Sequence, residues 1–137
     1  MNGLLEGIAQ HLAAGSVGLW RANGVYTATE TGIVIDAIPQ SPDNLITLTA
    51  YPVADELEGD ALSGVQVITR AAGADPRPSN DLAGRVFAAL HGLESVVLNG
   101  IPVTLCWRQS SASLGQDGVR RWSRSQNFYI RTELGAA

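Results

Sequence analysis

Lysine is absent from this chain: all nine of its basic residues are arginine. No phosphate-cradling P-loop is therefore possible, and a G+C-rich coding bias explains the absence as readily as function does. Cysteine occurs once, as Cys106, which excludes an internal disulfide and a multi-cysteine zinc site. The two histidines, His11 and His91, lie far apart without cysteine or acidic residues in a ligand pattern. Neither metal nor cofactor is expected. Long apolar runs are missing as well. Nothing approaches the ~20 residues of a membrane span, and the first fifteen residues lack the basic leader and unbroken apolar stretch of a signal peptide. Synthesis in a cytoplasm and no membrane partner are the expectations.

What the chain does have is a core. Its 137 residues are 45% hydrophobic, enough for one globular domain without staples. The best-formed stretch runs from Gly64 to Gly92. Val65 to Thr69 is a β-branched run with the character of an interior strand. Asp75-Pro-Arg-Pro78 then stops the ladder, since proline lacks an amide hydrogen. Ser79 or Asn80 is the expected cap of a following helix, with Asp81 near its positive end. Leu82, Val86, Ala89, Leu90 and Leu93 recur at helical spacing, and Gly92 is the stop.

Around this frame, Leu4, Ile8 and Leu12, with Leu5 beside them, predict a first helix over 2–14, His11 lying off the stripe. Residues 32–38 and 45–53 read as strands, the latter an antiparallel neighbour of 64–70 because no crossover helix intervenes. Residues 101–108 read as a strand with Ile101, Val103, Leu105 and Trp107 on one face and Thr104, Cys106 and Arg108 on the other. The segment 110–118, rich in serine and glycine, is expected to be a mobile hairpin loop, and 120–132 the last strand, with Gln126, Phe128 and Ile130 on one face. The expected architecture is α+β: a single domain with a mixed or largely antiparallel sheet of about four to five strands, antiparallel connections throughout, and two helices mainly on one face.

Charge is unevenly spread. Residues 1–63 carry eight acids and one arginine, whereas residues 64–137 carry five acids and eight arginines. The halves either neutralise each other within the monomer or meet head to tail between copies. The acidic run Asp55, Glu56, Glu58, Asp60 and the arginines Arg108, Arg120, Arg121, Arg124 and Arg131 are the candidate opposing patches. The acidic run lacks the ligand pattern of a calcium loop. Arginines beside Trp122, Phe128 and Tyr129 fit single-stranded nucleic acid in the abstract. A net charge of −4 argues against direct DNA binding and for a protein interface. No paired carboxylates, Ser/His/Asp or Cys/His set stands at catalytic spacing, so no enzyme is expected.

The order of these features resembles one family across nearly the whole chain: a first helix, a strand ending in Thr69-Arg70, an Asp75-Pro76 turn into a helix, a glycine-bearing polar segment, and a closing strand containing Asn127-Phe128-Tyr129. This is similar to the tail terminator (tail completion, or minor capsid) proteins of long-tailed bacteriophages. The resemblance implies a virion protein at the tail–neck junction, forming a ring, usually a hexamer. Such a ring caps the tail tube, stops its polymerisation and presents a surface to the head–tail connector or stopper, with DNA able to pass through it. It implies no catalytic residues. Two alternatives are a neighbouring neck component, such as a head–tail joining or stopper protein, and a small enzymatic or ligand-binding domain using 110–118 and Cys106. Residues 16–38 carry no mark of the family.

Overall fold

A computed structural model describes residues 2–55 and 60–133. Two helices and seven strands follow in the order α1 (Asn2–Ala14), β1 (Leu19–Trp20), β2 (Gly32–Ile35), β3 (Leu45–Asp55), β4 (Asp60–Ala71), α2 (Arg77–Leu90), β5 (Leu93–Leu98), β6 (Ile101–Gln116) and β7 (Trp122–Glu133). The strands form one sheet ordered β1-β2-β3-β4-β7-β6-β5. Seven strands replace the four to five expected. The first helix and the antiparallel β3–β4 pairing stand as read, and β4 is an interior strand between β3 and β7.

Several expectations need correction. The pairings β1–β2 and β2–β3 are parallel, not antiparallel. A nine-residue connection suffices for the second because β2 is only four residues long, roughly 13 Å at a strand's rise. The segment 110–118 is not a mobile loop: β6 continues to Gln116, paired with β7, and only 117–121 turns the chain. Leu93 leaves the helical stripe, because Gly92 takes φ +85° and the chain enters edge strand β5. α2 starts two residues before Ser79, and neither Ser79 nor Asn80 caps it. Asp75 takes that part, its Oδ1 accepting the Arg77 amide at 2.9 Å, while Pro76 and Pro78 occupy turns where a missing N–H costs nothing.

The face assignment along β6 also changes. A bulge between Val103 and Leu105 inserts one unpaired residue, so Val103 and Cys106 both face the core and Leu105 turns outward. Strict alternation would have kept Leu105 with Val103. In β7 alternation holds: Gln126, Phe128, Ile130 and Thr132 are buried.

One core results. Val65, Val67, Phe128 and Ile130 on the sheet join Leu82, Val86 and Leu90 of α2 and Leu5, Ile8 and Leu12 of α1. Each such side chain contributes roughly 1.5–3 kcal/mol by leaving water. α2 lies over β4, β7 and β6, whereas α1 touches β1 to β3 and also β5 and β6. The sheet therefore curls until both margins reach α1. Gly7 permits the closure, since a Cβ there would stand 2.9 Å from the backbone of Leu98.

Candidate functional site

Cys106 and the two histidines are taken up by the fold. Cys106 is 2% exposed, and burial pushes its thiol up to about 12. A thiol held so far from ionisation is a core residue, not a nucleophile. His11 Nε2 lies 3.1 Å from the Ala89 carbonyl, joining α1 to α2. His91 Nδ1 accepts the Arg108 amide at 3.0 Å, with its ring stacked on Phe87. The open hollow between the end of α1 and α2, about 550 Å³, is lined largely by alanine, glycine and serine. Its ionisable residues, His11 and Arg85, include no carboxylate. Among the described residues, no group of histidine, cysteine and acidic side chains could hold a metal.

The arginines divide by environment. Arg70 and Arg121 lie inside the protomer, 4% and 5% exposed. Arg70 donates to the carbonyls of Pro39, Pro42 and Asp43 at 2.7 to 3.0 Å. Arg121 meets Asp117 at 2.8 Å, Asp43 at 3.3 Å, and both the carbonyl and side chain of Gln40. Arg70 fastens the loop after β2 to β4, and Arg121 fastens it to the turn between β6 and β7. Arg121, a candidate for the surface patch, thus turns its charge inward. Nothing local in Arg120-Arg121-Trp122 distinguishes the buried arginine from its exposed neighbour, Arg120, which sits at φ +62° in the turn.

Arg108 and Arg124 lie on the helix-facing side of β6 and β7, beyond the flank of α2. The Arg108 guanidinium lies 4.1 Å over the Phe87 ring and donates to Gln126 Oε1 at 3.1 Å. Arg124 donates to Asn80 Oδ1 at 3.0 Å and Ser111 Oγ at 2.8 Å. Neither has a carboxylate partner among the described residues. Arg131 stands on the opposite, helix-free face, between Leu62 of β4 and Leu105 of β6.

The acidic candidates fall elsewhere. Asp55 closes β3 and Asp60 opens β4, opposite Glu133, at the end of the sheet farthest from the β6–β7 turn. Glu56 and Glu58 lie outside the described residues.

The profile of the bacteriophage tail terminator proteins matches residues 12–134. The chain belongs to this family. A tail terminator is a structural protein of the virion tail and not an enzyme, which accords with reactive groups bound up in packing. Comparison with curated proteins finds no match. Among solved structures, a chain from the virion of a native gene transfer agent (GTA) particle superposes with a TM-score of 0.68 at 20% identity, over 95% of this chain and 94% of that one. The family match includes residues 16–38, where the sequence carried no mark. There Tyr26 packs its ring over Gly32 and donates to the Ile33 carbonyl at 2.6 Å. Arg21 and Glu30 close the intervening loop through two hydrogen bonds of 2.7 and 2.6 Å. That segment builds the β1–β2 margin.

Proposed function

We propose that the chain acts as one terminator domain whose copies close into a ring, most simply a hexamer, on the end of the tail tube. The ring stops tube polymerisation and offers its other face to the head–tail connector or stopper. The observation that carries this reading is the family match across 12–134. The separation of acidic and arginine-bearing surfaces supports it. Two different patches on one protomer make a heterologous contact, and a heterologous contact that closes gives a ring. An acidic chain fits a ring that lets DNA pass without gripping it.

The test is electron microscopy of tails assembled without this protein. A terminator predicts tubes of uncontrolled length that fail to join heads. Tubes of normal length that merely lack heads would instead assign the protein to a neighbouring neck position, and native mass spectrometry showing only monomers, alone and with tube protein, would reject the ring.

A further inference from the structure

Beside α2, a shallow groove between the helix and β6 presents two arginines that have no carboxylate partner among the described residues. Asn80, Gly84, Phe87 and His91 fall on one stripe of the helix and its end, on the side facing β6. Opposite them stand Arg108 and Ser111 on β6, with Arg124 from β7. β5 pairs only with residues 101–106 of β6, so that side of the groove has no further strand over it among the described residues.

Neutral groups hold the arginines in place. Phe87 and the Gln126 amide fix Arg108, and Gln126 is itself fixed by donating to the Ala83 carbonyl at 2.9 Å. Asn80 and Ser111 fix Arg124. Side chains immobilised this way have already lost the rotamer freedom that binding would otherwise cost, while their charges remain uncompensated. Asp81, beside Asn80 in sequence, makes no ion pair with either arginine. Gly84 adds a second mark. A Cβ there would meet nothing within 4 Å, so packing within the protomer does not require glycine. It leaves the helix backbone bare where a partner chain would approach.

We infer that this groove receives the acidic Asp55–Asp60 segment of a second copy, forming the head-to-tail contact of the ring. The inference rests on the ring reading above and gives it an address. Carboxylates fit better than nucleic acid because the whole chain is acidic. Within one protomer the strand register keeps Asp60 away from both arginines. Arg108 lies on the rung of Phe128 and Val65, five residues from Asp60, about 17 Å along the strand. Arg124 lies on the rung of Thr69, about 30 Å away.

The experiment compares self-association of four full-length chains by sedimentation, alone and with tube protein: the parent, Arg108→Glu/Arg124→Glu, Glu56→Arg/Glu58→Arg, and Gly84→Gln. Each charge-reversed chain is expected to stay folded and lose at least tenfold in association, the groove variant melting somewhat below the parent because it gives up contacts to Phe87, Gln126, Asn80 and Ser111. An equimolar mixture of the two should recover much of it, because each reversed groove then meets the introduced arginines and each unchanged groove meets an unchanged acidic segment. Gly84→Gln should melt no lower than the parent yet fail to assemble. A parent that assembles alongside an equally competent Arg108→Glu/Arg124→Glu chain overturns the groove and leaves the ring standing. Loss in both reversed chains without recovery on mixing overturns the pairing with the acidic segment. A parent that never assembles overturns the ring and the groove together.

Discussion

Arg70 shows how little of an arginine's role is written in its neighbours along the chain. It ends an apolar strand, is 4% exposed, and satisfies three backbone carbonyls of residues 39–43. Burial lowers its pKa, yet a guanidinium stays protonated throughout the range where proteins fold. Arg70→Met should leave those carbonyls without donors and cost about 3 kcal/mol, read as a lower urea midpoint at unchanged slope. Arg120→Ala, by contrast, should be near neutral, since its side chain is exposed in a turn. At Cys106, a thiol raised to about 12 carries almost no thiolate at pH 8. Labelling by a thiol reagent should be negligible in the native protein and rapid in denaturant. Fast native labelling would mean that the core opens around β6.

Among the elements, two glycines set how closely the layers approach. Gly64 lies beneath the Tyr51 ring, where a Cβ would come within 2.2 Å, and the Tyr51 hydroxyl donates to Asn127 at 3.2 Å. Gly64→Ala should displace the ring and lose that bond. Paired with Tyr51→Ala, its effect should shrink in a double-mutant cycle. Gly7 faces the Leu98 carbonyl carbon and the Cβ atoms of Leu98 and Asn99, none of them the far end of a flexible side chain, so Gly7→Val leaves α1 no cheap way to yield. It should cost more than Gly64→Ala and loosen the β5 margin first, seen as faster amide exchange at Val96 and Leu98.

The loop between β1 and β2 has a pH signature. The hydrogen bond from Arg21, with that from the Thr27 amide, brings Glu30 down to about 2, below the ordinary carboxylate range. The folded value lies below the unfolded one. Its contribution is therefore complete above the ordinary range and is lost as pH falls through about 2. Asp117 is lowered in the same sense by the Arg121 amide and side chain. Amide shifts of Thr27 should titrate near the folded Glu30 value. A midpoint near 4 would mean that the ion pair does not form.

For the whole molecule, the groove contact predicts association that weakens steadily as salt rises from 0.05 to 0.5 M, because partly exposed charges are screened over a Debye length of about 10 Å at 0.1 M. Salt-independent rings would point instead to the helix-free face of the sheet, where Trp107 and Tyr129 meet edge to edge. The core itself closes within one protomer.

The two helices, the interior strand Asp60–Ala71 and the buried face of β7 were legible in the sequence because each is set by local periodicity. So was the structural, non-enzymatic role that the family match carries, since no reactive set stands at catalytic spacing in the sequence. The tertiary structure alone decided the rest. β1 and β5 become strands only by pairing with neighbours, and 110–116 becomes one because β7 gives its backbone groups partners. The bulge that turns Leu105 outward is a matter of register, which no single strand contains. The sorting of arginines into Arg70 and Arg121 within, and Arg108 and Arg124 along the groove, follows from which carbonyls, rings and amides the fold brings to each. Charge is a property of the residue, but its burial and most of its partners come from chain segments 13 to 81 residues away.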